Sequence, residues 1–412
     1  MAKRPQENIL KNIETLDEIA EPLLRWFHSE KRALPWREKP TPYRVWVSEI
    51  MLQQTRVEAV KPYFERFVAA LPDVRALARA DEDTLMKLWE GLGYYSRARH
   101  LQSAARLICS DHGGEIPARF DDLLTLPGIG RYTAGAVASI AFGERRPAVD
   151  GNVLRVIMRL LACPADILKE STKRAVEEAL ITRLPEDAGN FNQALMELGA
   201  LICLPRGAAH CPSCPLERLC LAKEANLQAE LPQKTPPKRR RTEKLTIFLL
   251  SKNGKIALEK RPAQGLLAGL WGFPAMEGHL KKKEAEEALQ AIGLIPAKLH
   301  ALPAAQHIFS HITWQMVGWH VELAETSSDE PSAATKSSPA LTEAVEANAR
   351  PASLCLHEAT APYDAQTKTP PFLWATAQEI ADIYSVKHRT GRRPDYFGKT
   401  SCFRGSTIFT SS

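Results

Sequence analysis

The chain has 412 residues, a length that predicts two or three domains, and its 44% hydrophobic content is enough to fill real cores. Its 54 basic and 48 acidic residues give a net charge of +6, which permits a polyanionic partner without requiring one. The charged amino terminus and the lack of long apolar runs argue against a signal peptide, a membrane span and a membrane partner. We therefore expect a cytoplasmic protein in a reducing compartment.

The first half of the chain predicts helix after helix, from about residue 16 to residue 227. One helical segment, 43–68, opens on Thr41 and Pro42, a favourable pair for the N-cap and the first helical position. Strand signals are scarce, so the region is predicted to be all-α. Further helices are predicted at 82–89, 97–111, 132–141, 153–161, 171–184 and 189–202.

Residues 126–130 spell Leu-Pro-Gly-Ile-Gly and precede an apolar, alanine-rich helix. The two glycines permit a tight hairpin with outward N–H groups, and the next helix adds the positive end of its dipole. Leu126, Gly128 and Gly130 are therefore candidates to grip a phosphate oxygen. A leading helix near 120–124 makes the pattern a helix-hairpin-helix. The alternative is an ordinary turn between helices; a dinucleotide fold fails because no strand precedes the glycines.

Four of the eight cysteines are crowded into one short segment with the spacing C-x7-C-x2-C-x5-C: Cys203, Cys211, Cys214 and Cys220. Thiolates this close together either bind metal or cross-link. A zinc ribbon usually has two C-x2-C pairs and this segment has one, so the spacing favours a [4Fe–4S] cluster over zinc. A pair of disulfides is disfavoured because nothing marks the chain as secreted.

The composition changes near Leu231. Residues 231–244 are proline-rich and basic and predict a linker. Its basic run at 238–241 is a candidate localisation signal or phosphate contact, with a solvated tether as the favoured alternative.

An α+β domain is predicted at 245–388, with a helix over 282–292. We expect a flexible insertion at 325–348 and a poorly ordered tail at 389–412. The predicted strands are 245–250, 255–259, 307–308 and 313–322.

Taken in order, these motifs resemble the endonuclease III superfamily of base-excision DNA glycosylases: a helix-hairpin-helix, then Val-Asp-Gly-Asn-Val at 149–153, then four cysteines. Within that superfamily the chain most resembles the MutY-type adenine DNA glycosylases. The resemblance covers about 19–221 closely and the later domain loosely. The matching segments are LPWR at 34–37, VWVSEIMLQQT at 45–55, GLGYYSRAR at 91–99 and GRYTAG at 130–135.

The resemblance implies a multidomain chain whose glycosylase domain spans 1–230. A six-helix lobe would cover about 33–143, and an iron–sulfur lobe would combine 1–32 with 144–230. One departure concerns the cysteines, because the family usually has six residues between the first two and this chain has seven.

Cleavage of an N-glycosidic bond needs an acid to protonate the leaving base and a carboxylate to stabilise the oxocarbenium-like sugar. Glu49 lies among apolar residues, where its pKa should rise enough to keep a proton for donation. The resemblance implies that Glu49 protonates N7 of adenine and that Asp150 stabilises the cation before water attacks. The alternatives are a helix-surface charge at Glu49 and an N-cap at Asp150.

Tyr132 distinguishes two branches of the superfamily. In the lyase branch a lysine occupies this place and attacks the sugar as an amine, which a phenol cannot do. The resemblance therefore implies a monofunctional glycosylase in which Tyr132 positions Asp150 or the sugar. Asn152 is expected to orient the water or a carboxylate.

The target base must leave the duplex before it can be cut. Gln54 and Tyr94 match the family's wedge residues near the opposite base, where a ring can stack and an amide can bond base edges. Core packing is the alternative for Tyr94. Arg97 is a candidate phosphate contact, with a solvated side chain as its alternative.

The later domain resembles the Nudix-like C-terminal domain of the same family, on the segment GLWGFP at 269–274. It lacks the order of the R-E-x-x-E-E metal helix, so Glu286 and Glu287 are expected to be helix charges and no pyrophosphatase activity is expected. Phe309, Ser310 and His311 match the loop with which the family detects 8-oxoguanine. A surface histidine without a role is the alternative for His311.

The sequence thus predicts a monofunctional adenine glycosylase that acts as a monomer on A opposite 8-oxoguanine or G in double-stranded DNA, in association with the nucleoid. One rival is a thymine- or pyrimidine-directed lyase of the same superfamily, which Tyr132 disfavours. The other is a non-catalytic lesion-binding protein on the same scaffold, which the presence of both Glu49 and Asp150 disfavours.

Overall fold

The chain divides into two compact units, Met1–Pro237 and Lys238–Ser412. The computed structural model describes residues 9, 11–205, 209–236, 239–262, 264–324 and 372–382. The predicted insertion and tail lie outside the described residues. In the part that is described, no helix has the length and apolar character needed to cross a bilayer.

The described residues of the first unit are helical, as predicted. Three short 3₁₀ turns lie at Ile13–Asp17, Cys211–Ser213 and Glu217–Leu219. The α-helices are α1 (Ala20–Glu30), α2 (Pro35–Glu38), α3 (Pro42–Leu52), α4 (Val57–Ala70), α5 (Val74–Arg79), α6 (Glu82–Leu88), α7 (Ser96–Asp111), α8 (Phe120–Leu123), α9 (Arg131–Phe142), α10 (Gly151–Leu160), α11 (Glu170–Ile181), α12 (Ala188–Leu201) and α13 (Leu221–Glu224).

The segment predicted as one helix over 43–68 is two helices, α3 and α4. Helix α3 begins where the sequence predicted, with Thr41 as its N-cap. The Thr41 hydroxyl accepts a hydrogen bond from the backbone N of Arg44 at 3.4 Å. The chain leaves the helical path after Leu52, and Gln54 takes a left-handed φ of 59°. The carbonyls freed at this helix end are satisfied by Arg97, a contact that the local sequence pattern does not show.

One hydrophobic core joins the two ends of the first unit. Leu16, Leu23 and Phe27, from the start of the chain, pack with buried side chains of α10, α11 and α12. The helices between them bury large aromatic side chains of their own. Phe67 meets Trp89 edge to face with ring centroids 5.8 Å apart. Burial of such side chains stabilises the fold by roughly 2–3 kcal/mol each.

In its described residues the second unit is a mixed sheet with two helices packed against its hydrophobic clusters, which confirms the α+β prediction. The strands follow the order β3-β2-β1-β6-β5, with β4 paired to β1 and β7 to β2. Its elements are β1 (Arg241–Lys252), β2 (Lys255–Lys260), β3 (Trp271–Gly272), β4 (Ala275–Glu277), α14 (Lys282–Ala291), β5 (Pro296–Ile308), β6 (Ile312–Leu323), β7 (Leu373–Ala375) and α15 (Ala377–Asp382).

Two boundaries differ from the sequence prediction. Strand β1 begins at Arg241, so the last residues of the predicted linker 231–244 pair with β6 instead of forming a tether. Strand β5 is far longer than the predicted 307–308, because most of its residues are exposed and give no apolar alternation. Between β5 and β6 lies the tight connection that carries residues 309–311.

Candidate active site

Glu49 is buried on α3, with only 6% of its surface exposed. It is therefore not the helix-surface charge considered from sequence. Burial raises its pKa to about 7; the charge of Asp150 also raises it, while a hydrogen bond from Tyr132 and the charge of Arg37 lower it. A carboxyl with this pKa holds a proton near neutrality and can donate it.

Tyr132 lies on the first turn of α9, which packs against α3. Its hydroxyl donates to Oε2 of Glu49 at 2.5 Å and approaches Sδ of Met196 at 3.3 Å. Burial and the neighbouring carboxylates Glu49 and Asp150 raise the pKa of Tyr132 well above its ordinary value. The phenol therefore stays protonated and fixes one oxygen of Glu49.

Asp150 is the N-cap of α10. Its Oδ1 accepts from the backbone N of Asn152 at 2.8 Å and of Val153 at 2.7 Å, and its Oδ2 accepts from Nδ2 of Asn152 at 2.8 Å. Burial raises the pKa of Asp150, while these hydrogen bonds lower it. The capping role considered from sequence is real, and it fixes the carboxylate at the edge of a cleft.

A cleft of about 1240 Å³ opens between these elements. Glu49, Tyr132, Asp150 and Asn152 all line it. The volume is enough for a nucleoside, since small-molecule pockets occupy about 300–1,000 Å³. The structure thus brings together four residues that are spread over about a hundred positions of the chain.

Arg155 is a residue of this site that the sequence analysis missed. Its Nη2 donates to Oδ1 of Asn152 at 2.8 Å and to the carbonyl of Gly199 at 2.6 Å, and its Nε donates to the carbonyl of Cys203 at 2.7 Å. Arg155 therefore connects Asn152, which bonds to Asp150, to Cys203, the first of the clustered cysteines. The available signal was an arginine among apolar residues of a predicted helix.

The four clustered cysteines are free thiols, so the disulfide alternative is wrong. Burial, with smaller contributions from Cys203, Cys220 and Cys211, raises the pKa of Cys214 to about 12. Cys203 Sγ accepts from Nη1 of Arg159 at 3.2 Å. Among the described residues, no group of three or more His, Cys, Asp or Glu side chains is arranged to hold a metal ion. Residues 206–208, within the longer first spacing, lie outside the described part.

Gln54 and Tyr94 both adopt left-handed backbone conformations, with φ of 59° and 49°. Tyr94 is 49% exposed, which rules out simple core packing. Such strained non-glycine residues persist only when their surroundings hold them.

Arg97 corrects both sequence alternatives, because it neither faces solvent nor presents a surface for phosphate. It is 8% exposed, and its Nη1 donates to the carbonyls of Ile50, Met51 and Gln53 at 2.6–2.9 Å. Nη2 donates to the carbonyl of Gly93 at 3.1 Å, just before Tyr94. Arg97 therefore supports the two exposed wedge candidates from beneath.

The hairpin before α9 has the predicted form. Gly128 has φ of 75°, and a β-carbon there would lie 2.6 Å from Cβ of His100. Gly130 is the N-cap of α9 and makes no side-chain capping bond, so the helix dipole meets solvent there. The side chain of Leu126 packs inward, with 2% of its surface exposed, and its backbone N donates to the carbonyl of Leu123 at 3.2 Å.

In the second unit, the residues 309–311 form the connection between β5 and β6. Phe309 meets Trp314 edge to face, with centroids 4.9 Å apart, and its backbone N donates to the carbonyl of Ile312 at 2.8 Å. Ser310 and His311 are exposed. The packing of Phe309 on Trp314 thus anchors a short polar tip, Ser310–His311.

Residues 47–182 match the family described as HhH-GPD superfamily base excision DNA repair protein, and residues 246–351 match the NUDIX domain. Together with the helix-hairpin-helix and the acidic cleft, this match defines a base excision DNA repair enzyme whose partner is DNA. The second unit is the Nudix-like domain that the sequence predicted.

The chain is 36% identical to the Homo sapiens adenine DNA glycosylase, over 78% of this chain and 72% of that protein. It is 33% identical to the adenine DNA glycosylase of Buchnera aphidicola (subspecies Schizaphis graminum), over 72% of this chain and 85% of that protein. A solved thermostable thymine-DNA glycosylase is also similar, at 28% identity and a TM-score of 0.46 over 52% of this chain and 98% of that one. The chain belongs to the adenine DNA glycosylase family, and it hydrolyses the N-glycosidic bond of adenine in base excision repair.

Proposed function

We propose that this enzyme is a monofunctional, monomeric glycosylase that removes adenine opposite 8-oxoguanine or G in duplex DNA. The observation that carries the proposal is the pair of carboxyl groups in one cleft, Glu49 buried with a pKa of about 7 and Asp150 capping α10. Two acidic groups in environments of different polarity are the arrangement expected of an acid and a charge stabiliser.

Glu49 acts as the general acid. Tyr132 occupies Oε2, which leaves Oε1 to carry the proton for N7 of the extruded adenine. Protonation converts the base into a better leaving group, and the C–N bond breaks toward the sugar cation. If Glu49 has this role, the rate of base release should fall as the pH rises and Glu49 loses its proton.

Asp150 stabilises the sugar cation through its negative charge. Three hydrogen bonds from Asn152 and Val153 fix the carboxylate, and the positive end of the α10 dipole favours its ionised form. Asn152 orients a water molecule, which then attacks the cation. Asp150→Asn keeps the N-cap, so base release should be lost while DNA binding is retained.

The lyase branch of the superfamily attacks the sugar with a lysine, and this chain has Tyr132 at that place. A phenol forms no Schiff base with the sugar. Borohydride should therefore fail to trap a protein–DNA adduct efficiently. Efficient trapping would favour the lyase alternative.

DNA contacts are assigned to three surfaces of the described chain. The hairpin at Gly128 and Gly130 binds a backbone phosphate with N–H groups. Gln54 and Tyr94 enter the duplex beside the flipped base, where the strained backbone holds them. The polar tip Ser310–His311 reads 8-oxoguanine, whose N7–H and O8 differ from those of guanine.

The cysteines Cys203, Cys211, Cys214 and Cys220 are assigned to a [4Fe–4S] cluster, with zinc as the second candidate. Their chemistry fits, because four partly buried thiols in one short segment are ligands that iron and zinc favour, and a bound metal holds such thiols as thiolates. Such a cluster would hold the loop rigid. Purified protein should show a broad visible absorption that bleaches on reduction or oxidation. Cys214→Ser should remove the absorption, whereas Cys109→Ser should keep it; zinc in place of iron would leave the wild type colourless.

The decisive test compares three duplexes, A opposite 8-oxoguanine, A opposite G, and T opposite G. Adenine release from the first two and none from the third supports the proposal. Thymine release would favour the pyrimidine-directed rival. Tight binding to all three without release would favour a non-catalytic lesion-binding protein.

A further inference from the structure

Trp314 is the largest side chain of a small hydrophobic cluster beside the polar tip Ser310–His311, and the proposed reaction gives it no role. It lies on β6, and only 6% of its surface is exposed. Phe309 packs on the same cluster, which is separate from the cluster that α14 packs against. The tip is therefore attached to a packing unit of its own.

Three contacts fix the indole of Trp314. Its ring meets Phe309 edge to face, with centroids 4.9 Å apart, and the guanidinium carbon of Arg261 lies 5.0 Å from its centroid. Its Nε1 donates to Oε2 of Glu243 at 2.8 Å. A buried indole N–H needs such an acceptor, and a charged acceptor makes the bond stronger than a neutral one. The ring on which Phe309 rests is therefore held in one orientation.

The first residues of β1 hold the tip and the indole together. Glu243 lies opposite Trp314 in the parallel pairing of β1 with β6. Nη2 of Arg241 donates to Oε1 of Glu243 at 2.5 Å. The backbone N of Arg241 donates to the carbonyl of His311 at 3.1 Å. Glu243 therefore connects the indole to the residue whose backbone binds the tip.

Discrimination of 8-oxoguanine from guanine depends on where the tip lies. The two bases differ at position 7, which is N–H in the lesion, and at position 8, which carries an oxygen in the lesion. Hydrogen bonds to these atoms weaken steeply when the angle departs from its optimum. A displaced tip would still meet either base, but it would lose the contacts that only the lesion offers. Polar groups that read such a difference need supporting residues whose own side chains are fixed.

We propose that Trp314 and Glu243 are positioning residues that hold the tip where it distinguishes 8-oxoguanine from guanine. The inference rests on the proposed function, since it matters only if the tip reads the lesion. Trp319 provides a matched control, because it lies on the same strand and its Nε1 donates to the carbonyl of Leu280 at 3.1 Å. It packs against the other cluster, not the one that holds Phe309.

The experiment measures single-turnover adenine release from two duplexes, with A opposite 8-oxoguanine and A opposite G, and takes the ratio of the two rates. The enzyme is kept below saturation, so that binding and cleavage both contribute to the ratio. Trp314→Phe removes the N–H donor and Glu243→Leu removes its acceptor. Each should lower the ratio by roughly 10-fold, the order of one specific base contact, and leave the rate with G close to that of the wild type. Glu243→Gln keeps an acceptor oxygen and Trp319→Phe leaves the tip untouched, so both should keep the wild-type ratio.

An unchanged ratio in either folded variant, Trp314→Phe or Glu243→Leu, would overturn the inference. An equal fall of both rates would also overturn it, because it would show a structural role without discrimination. If circular dichroism shows that Trp314→Phe does not fold, Glu243→Leu decides, since the Glu243 side chain is 31% exposed. Wild-type protein with equal rates on the two duplexes, or His311→Ala with the wild-type ratio, would instead contradict the proposed reading of the lesion by the tip.

Discussion

Gly199 on α12 lies so close to Asn152 that a β-carbon at Gly199 would stand 2.6 Å from the β-carbon of Asn152. Real β-carbons do not approach to this distance, so Gly199→Ala must displace the first turn of α10. The hydrogen bond from Asn152 Nδ2 to Oδ2 of Asp150 would be lost or lengthened.

We therefore expect Gly199→Ala to lower the single-turnover rate of base release by roughly 10- to 100-fold, as for a small misplacement of a reacting group. Duplex binding should remain close to that of the wild type, because the hairpin and wedge residues are untouched. An unchanged rate of base release would show that the position of Asn152 is not critical.

Tyr132→Phe should change the pH dependence of the reaction in a defined direction. The hydrogen bond from Tyr132 lowers the pKa of Glu49, so its removal should raise that pKa above about 7. Glu49 would then keep its proton to higher pH, and the fall in rate would move upward. The plateau rate should also drop, because the acid is no longer fixed. A downward shift in a single-turnover pH profile would contradict the assignment of Glu49 as the acid.

The two hairpin glycines should respond differently to alanine. Gly128→Ala meets the His100 side chain at 2.6 Å and a φ of 75°, so we expect a loss of roughly 1–3 kcal/mol in the free energy of unfolding. Gly130→Ala meets nothing within 4 Å and should fold normally. Its methyl group would nevertheless stand where a phosphate approaches, and duplex binding should weaken. Normal binding by Gly130→Ala would place the phosphate contact elsewhere.

Arg97 and Arg99 form a pair of arginines on α7, of which Arg97 is buried and Arg99 is partly exposed. Arg97→Lys removes the guanidinium that donates to the free carbonyls at the end of α3. We expect it to lower the free energy of unfolding, measured by urea denaturation, by roughly 2–4 kcal/mol. Arg99 pairs at 2.9 Å with Glu82 at a partly exposed site, so Arg99→Lys should change stability by less than about 1 kcal/mol. Equal losses in the two variants would contradict the structural role assigned to Arg97.

Local features of the chain were predictable because each depends on neighbours in sequence. The hairpin at Gly128 follows from the spacing of two glycines, and Thr41 followed by Pro42 marks the start of α3. Glu49 was recognisable as a buried acid because apolar residues flank it. The α+β character of the second unit likewise followed from short strand-like runs.

What the sequence could not supply were contacts between residues far apart in the chain. Glu197 bonds to Arg32 across 165 positions, and Tyr132 bonds to Glu49 across 83. Arg97 has the same charge as any surface arginine, and only the carbonyls of a helix 44–47 positions away show that it is buried. The sequence by itself determined which chemical groups are present and which local turns they occupy. Tertiary packing decided which of those groups face each other, because a pKa or a hydrogen bond depends on distance in space.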